Sequence, residues 1–306
     1  MTASCQTRVA LLGGDAREEQ VLTTLGDHGF QVVYAGRPPS TSECRAQWVA
    51  DAGEALVGAN LIILPMRGMG DDGRVSSAYL DYPVWIKGED LAQTASEARL
   101  VVGVASQHLR QLADTYGITV IELADDDEVA ILNSIPTAEG AIQMAMELTP
   151  ITIHSSRCLV LGYGRCGVTL ARALAGLGAR VSVAARKPRD LARILEAGYR
   201  PVCFSEFHGA LPEMDLIFNT VPRMILDRTA LGLVGSEAVI IDLASAPGGC
   251  DFDAARSLGR QAVLAPGLPG KVAPVTAGQI IARRILRILK EEPSAAWRGE
   301  GGCGNA

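Results

Sequence analysis

Aromatic side chains are scarce in this sequence, at 5% of 306 residues, while glycine is abundant, at 33 residues. With 48% hydrophobic residues, that balance is usual for an α/β protein whose strands and helices meet in tight turns. Surplus positive charge is missing as well. The net charge is −6, the isoelectric point is near 5.3 and no basic stripe stands out, which argues against nucleic acid as a partner. No apolar run reaches bilayer-spanning length and no N-terminal segment resembles a secretory signal, so the expectation is a cytoplasmic protein with no membrane partner. The seven cysteines (5, 44, 158, 166, 203, 250 and 303) are odd in number and scattered, without a C-x-x-C pair. Neither a disulfide framework nor a zinc site is indicated. Four dispersed histidines, His28, His108, His154 and His208, suggest no metal cluster.

What the chain does have is a glycine signature in the right surroundings. Arg157 to Leu161 reads as a short apolar strand that runs into Gly162-Tyr163-Gly164-Arg165-Cys166-Gly167, and a helical pattern follows. In such a G-x-G-x-x-G turn, Gly162 permits the tight bend and Gly164 lets a diphosphate approach the backbone. Gly167 lets helix and strand pack closely. The helix N-terminus, with its free N–H groups and dipole, then favours the diphosphate. Cys166 admits two readings, a small residue that fits the loop or a thiol activated by the helix N-terminus.

The next strand is expected over 180–185 and ends in Ala184-Ala185-Arg186-Lys187 without an acid. An NAD site usually places a carboxylate there for the ribose 2′-hydroxyl. Two cations instead suit a 2′-phosphate, Arg186 as a bidentate donor and Lys187 as a point charge. The cofactor expected is therefore NADP, with NAD as the alternative; solvated residues opening a helix would look the same.

Alternation of apolar runs and amphipathic segments predicts two doubly wound parallel-sheet lobes of α/β class, the second a Rossmann domain. Residues 1–135 are expected to form the substrate-binding and catalytic domain, with strands at Arg8–Leu12, 31–35, 60–65, 100–104 and 118–123 and helices at 18–28, 43–57 and 107–116. Asp125 to Glu128 reads as an acidic surface turn, and a linker helix is expected over 136–150, with Pro136 at its start. The dinucleotide domain is expected over 151–268, with strands and helices at 157–162, 166–177, 180–185, 188–197, 215–219, 238–242 and 261–265. A turn at 266–270 then leads to a crossover and C-terminal helix, 269–290, packing on the first domain. Residues 291–306 read as a disordered tail.

In open parallel sheets, ligands bind beyond the carboxyl ends of the strands, so the loops there are where chemistry is sought. Gly13-Gly14-Asp15-Ala16-Arg17 offers an acid and a cation, although Asp15 equally suits a helix N-cap. Arg67, in Pro65-Met66-Arg67-Gly68, suits a carboxylate. Asn219-Thr220-Val221-Pro222 and the loop containing Leu243 and Ala244 are expected to meet the cofactor. Lys271, in the Pro269–Pro274 crossover, suits a second carboxylate or a proton transfer, and an exposed lysine is the plain alternative. Thr276 is expected to cap the last helix and join the substrate contacts.

Taken in order, these loops resemble the dipicolinate synthase A-chain family. The resemblance rests on Gly13-Gly14-Asp15 with Arg17, Leu64–Gly68, Asn133–Gly140, Val160–Gly167, Asn219–Pro222, Ile241–Ser245 and Leu268–Pro274. It implies an NADP-linked, cytoplasmic enzyme of the mother cell of a spore former. Its implied reaction is the oxidation of a dihydrodipicolinate-type dicarboxylate, derived from the lysine pathway, to pyridine-2,6-dicarboxylate. The implied partner is a flavoprotein-like B subunit, and a homodimer is compatible. A small ring dianion needs cations at two points, for which Arg67, Lys271 and Arg17 are the candidates, with Asp15 and then His108 as candidate bases. Two other readings stay open. One is a different two-domain hydroxy- or amino-acid dehydrogenase; the other is a non-catalytic NADP-binding subunit.

Overall fold

A computed structural model describes residues 7–39 and 46–290; the expected tail lies outside the described residues. Contacts divide the chain into two units. The first takes residues up to Gly14, Glu18–Ile121 and from Gly278 onward; the second takes Asp15–Arg17 and Glu122–Ala277.

The first unit is built on a six-stranded sheet in the order β3-β2-β1-β4-β5-β6. Its strands are β1 (Arg8–Leu12), β2 (Gln31–Ala35), β3 (Ala46–Trp48), β4 (Leu61–Ile63), β5 (Arg99–Val102) and β6 (Thr119–Glu122). Pairing is parallel, with Leu11 opposite both Tyr34 and Ile63. Val9 to Leu12 have no exposure, as expected of a strand covered on both faces. The helices are α1 (Ala16–Asp27), α2 (Ala52–Leu56), α3 (Gly88–Leu91) and α4 (Gln107–Thr115). Ser106 caps α4 by accepting from the Leu109 N–H at 3.2 Å.

One expectation fails in this unit. The helix read over 43–57 is, in its described part, strand β3 followed by α2. Gln47 pairs with Val33 and Trp48 with Tyr34. Asp51 restarts the chain as a helix by accepting from the Gly53 N–H at 2.7 Å. Sheet pairing overrides a helical pattern here, a tertiary effect that a local reading does not contain.

The second unit begins with α5 (Asp127–Leu148), longer than the expected 136–150. The acidic run leaves a turn at Asp125 and enters this helix at Asp127. Asp126 is its N-cap, accepting from Val129 N–H at 3.0 Å, and Asp127 and Glu128 lie in the first turn, where the helix dipole favours negative charge. Pro136 is buried inside α5, where its ring removes one ladder hydrogen bond. Nearby hydroxyls bond other carbonyls: Ser134 Oγ donates to Ile131 O at 2.6 Å and Thr137 Oγ1 to Asn133 O at 2.7 Å.

The second sheet has the order β12-β11-β10-β7-β8-β9. Its strands are β7 (Arg157–Leu161), β8 (Arg180–Ala185), β9 (Arg200–Cys203), β10 (Leu216–Asn219), β11 (Val239–Asp242) and β12 (Gln261–Leu264). The helices are α6 (Arg165–Gly176), α7 (Pro188–Glu196), α8 (Arg228–Leu233), α9 (Phe252–Ser257) and α10 (Leu268–Val272). The turn expected over 266–270 thus opens a short helix, for which Gly267 supplies the left-handed residue at φ +67°. Finally α11 (Pro274–Lys290) starts before Thr276, so Thr276 is its third residue and not its cap. Ile281, Ile285 and Ile288 of α11 are buried, at helical spacing. No helix among the described residues is long and apolar enough to cross a membrane.

Candidate functional site

The chain reverses its strand order between β7 and β10, and the glycine turn lies at that point. Gly162 has φ +101°, a conformation that a side chain would strain. Its N–H donates to Ala184 O at 3.0 Å. Thr220 Oγ1 donates to Leu161 O at 2.8 Å, which ties the end of β10 to the turn. Gly167, in the first turns of α6, sits against the Gly162 carbonyl, where a Cβ would overlap it. Gly164 is the N-cap of α6, and a Cβ built there meets nothing within 4 Å. The turn is closed against strand and helix, and open at Gly164.

That opening belongs to a cavity of about 860 Å³ within the second unit, at the carboxyl ends of β7, β8, β10 and β11. From the glycine turn it is lined by Gly162, Tyr163, Gly164, Arg165 and Cys166, and from β8 by Ala185, Arg186 and Lys187. Thr220, Val221 and Pro222 line it after β10, and Leu243 and Ala244 after β11. Two residues of the expected cofactor set, Gly167 and Asn219, are not in the lining. Cations dominate the wall. Arg186, Lys187, Arg189 and Arg223 are exposed, and Asp190 is the carboxylate among the lining residues. Arg165 is ion-paired with Asp127 at 3.0 Å. Such a wall suits a ligand with several negative charges and a polar, elongated body.

Burial pushes the Cys166 thiol up to about 11, so the activated-thiolate reading is set aside and the small-residue reading remains. Burial also raises the Tyr163 phenol above its ordinary range. Among the described residues no group of His, Cys, Asp and Glu is arranged to hold a metal ion.

Asn219, expected to touch the cofactor, is fully buried and holds the loops instead. Its amide donates to Asp242 Oδ1 at 2.9 Å and to Val221 O at 3.1 Å, and its Oδ1 accepts from Val221 N–H at 3.0 Å. Asp242, also fully buried, accepts from Ala244 N–H at 3.0 Å and from Gly249 N–H at 2.7 Å. Gly249 O in turn accepts from the Ile225 and Leu226 N–H groups, both at 2.9 Å. One side-chain pair therefore fixes two cavity-lining loops. Sequence reasoning missed this role for Asp242, although a carboxylate ending an apolar strand is itself a signal: such a charge is buried only when partners are supplied.

Helix α5 forms another wall of the cavity through Ala130, Asn133, Ser134 and Thr137. The sequence assigns none of these a ligand role, although Asn133 and Ser134 stand in the Asn133–Gly140 motif that is part of the family resemblance.

The residues expected to act on substrate are placed elsewhere. Asp15 precedes α1, and its carboxylate accepts from Arg17 N–H at 3.0 Å, Nε at 2.9 Å and Nη2 at 2.7 Å. It thus serves the helix start, and it holds the Arg17 guanidinium. Arg67 is exposed in the loop after β4, and His108 is half-buried near the start of α4. Lys271 lies exposed in the last turn of α10, beside a separate hollow of about 390 Å³ with Gln143 and Met144. Thr276 is exposed. None of these residues is in the lining of the large cavity.

In the first unit, Arg37 follows β2 as Arg67 follows β4, so the same reasoning selects it. Its side chain is only 3% exposed, with Nη2 on Glu19 Oε2 at 2.7 Å and the guanidinium 5.2 Å from the Tyr79 ring centroid. The glycine turn of this unit is crowded at both glycines. A Cβ on Gly13 would lie 2.7 Å from Ser76 O, and one on Gly14 would overlap the Glu18 carboxyl.

Residues 8–124 match the family model of the N-terminal domain of the dipicolinate synthase A chain, and residues 135–248 match the NAD-binding domain of D-isomer specific 2-hydroxyacid dehydrogenases. The A chain of dipicolinate synthase from Bacillus subtilis (strain 168) is 37% identical over 285 residues, covering 93% of this chain and 96% of that one. A crystal structure of the corresponding protein from Bacillus halodurans superposes with a TM-score of 0.90 at 35% identity, covering 93% of this chain and 98% of the other. A transhydrogenase from Sinorhizobium meliloti, 15% identical over 92% of this chain and 93% of its own, has a TM-score of 0.68 and shares the fold.

Proposed function

Since the chain belongs to the dipicolinate synthase A-chain family, we propose that it is the dehydrogenase of that enzyme, oxidising dihydrodipicolinate to pyridine-2,6-dicarboxylate with NADP. The coarser reading, an oxidoreductase with a nicotinamide dinucleotide cofactor, follows from the dehydrogenase-type domain over 135–248. The observation that carries the proposal is the cavity that opens at Gly164, with Arg186 and Lys187 on its wall. A diphosphate fits the open side of Gly164, against the free N–H groups of α6. Arg186 and Lys187 end β8, where a 2′-phosphate would need cations and a ribose diol would need an acid.

The reaction removes two hydrogens from the ring, one as a hydride with its electron pair and one as a proton. When bound, the oxidised nicotinamide supplies the hydride acceptor. Arg67, Lys271 and Arg17 are the cations assigned to the substrate carboxylates, and Asp15 is the group assigned to the proton. Aromatisation drives the oxidation, so these residues have mainly to hold the ring in place. If the substrate arrives as the hydroxylated tetrahydro form, it must lose water before it is oxidised. The flavoprotein-like B subunit is the proposed partner, and spore formation in the mother-cell cytoplasm the proposed setting.

The test is a coupled assay. Freshly generated lysine-pathway intermediate is mixed with the chain and NADP, with and without the B subunit, and NADPH and dipicolinate are followed by ultraviolet absorbance. Both signals are expected to rise together. Binding of NADP with neither signal, even with the partner present, would overturn the dehydrogenase role.

A further inference from the structure

One polar atom on the wall of the large cavity is left without a partner. Asn133 Oδ1, on α5, is buried and accepts no hydrogen bond. The hydroxyls beside it are committed. Ser134 Oγ bonds Ile131 O and Thr169 Oγ1, both at 2.6 Å, and Thr137 Oγ1 donates to the backbone carbonyl of Asn133 at 2.7 Å. Buried amide oxygens are normally satisfied, because an unmade bond leaves the desolvation of the group uncompensated. An acceptor held this way beside a cavity points to a ligand donor.

The place of α5 says which part of the ligand that is. The inference rests on the dinucleotide reading. With the diphosphate at Gly164 and the adenosine end at Arg186 and Lys187, the nicotinamide end lies towards the loops after β10 and β11. Helix α5 packs on α6 and against β11. The amide and carboxylate oxygens of those loops are already used: Asn219 Oδ1 by Val221 N–H, Asp242 Oδ1 by Asn219 and Ala244, and Asp242 Oδ2 by Gly249. The nicotinamide ring carries one N–H donor group, the amino group of its carboxamide.

We propose that Asn133 Oδ1 accepts a hydrogen bond from the carboxamide N–H of the bound nicotinamide. Asn133 thereby selects one rotational setting of the ring, and with it the face turned to the substrate. It is a cofactor-orienting residue with no part in proton transfer.

The test compares NADP with its 3-acetylpyridine analogue, which has a methyl group in place of the carboxamide amino group. Both are titrated by calorimetry into the full chain as wild type, Asn133→Ala and Asn133→Asp. The wild type is expected to prefer NADP by roughly fivefold to tenfold, the range of one neutral hydrogen bond. Asn133→Ala is expected to bind the two ligands equally. Asn133→Asp, which keeps an acceptor, is expected to keep the preference even where its charge lowers both affinities. A wild type without preference, or an Ala variant that retains it, overturns the inference and leaves the dinucleotide reading standing. A wild type that binds neither ligand overturns that reading itself. The wild-type comparison needs no variant, so a folding defect in either variant does not block the test.

Discussion

The Asn219 amide and the Asp242 carboxylate, both without exposure, are joined at 2.9 Å beneath the two loops that close one end of the cavity. The carboxylate gathers three N–H donors from three separate residues. Asp242→Ala leaves those donors unpaired and is expected to cost on the order of 3 kcal/mol of stability. In a double-mutant cycle with Asn219→Ala, denaturant melts should give a coupling of about 1.5–3 kcal/mol. Strict additivity would show that the pair does not act as a unit.

Arg186→Ala should weaken NADP by roughly tenfold to a hundredfold, the range of a charge-assisted hydrogen bond, while NAD changes little. Fluorescence titration of the two reduced cofactors reads this directly. Equal losses would remove the 2′-phosphate assignment.

Arg67 lies outside the large cavity, so on the proposed assignment Arg67→Ala should leave NADP affinity unchanged and raise the KM for the dicarboxylate by at least about tenfold. Loss of cofactor affinity instead would take Arg67 out of the substrate role.

The described cysteines should differ sharply in reactivity. Burial pushes Cys158 and Cys166 up to about 11 and Cys250 up to about 12, while hydrogen bonding from Ser205 lowers Cys203. At pH 7.5 a thiol of pKa near 11 is ionised in roughly one molecule in 3,000. Alkylation followed by peptide mapping is expected to label Cys203 first among these four. Prior labelling of Cys166 would contradict its burial.

Arg157 donates to the Asp215 carboxylate from Nη2 at 2.8 Å and from its backbone N–H at 2.7 Å, which holds Asp215 below the usual carboxylate range. A carboxylate whose pKa is depressed on folding stabilises the protein above its unfolded pKa and loses that contribution as pH falls through the folded one. Stability should therefore drop below about pH 4, the ordinary aspartate value. Asp215→Asn should flatten that part of the profile in melts from pH 5 to pH 2.5. An unchanged profile would assign the acid sensitivity to other groups.

Much of the fold could be read from the sequence because its longer strands are buried on both faces and appear as unbroken apolar runs. β7 is of this kind, and in β8 the run is broken only by the buried Ser182. What escaped was short or dictated from a distance. β9, α8 and α9 have four to six residues, too few to establish a period. β3 is a strand because Tyr34 and its neighbours pair with it, which no window around Trp48 contains. Pro136 looked like a helix start because proline is favoured there, yet α5 passes through it. In the candidate site, the loops after β7 and β8 were legible from glycines and cations. Asn133 and the role of Asp242 were not, since an unpaired oxygen and a shared carboxylate are properties of three-dimensional neighbours.

The two sheets share a strand order, but their first turns have diverged. In the first unit Ser76 and Glu18 occupy the ground beside Gly13 and Gly14; in the second, Gly164 faces empty space. The chain is thus a pair of like scaffolds whose glycine turns differ at one point: the Glu18 carboxyl stands beside Gly14, and nothing stands beside Gly164. Saturation with dinucleotide should therefore come at a single equivalent per chain.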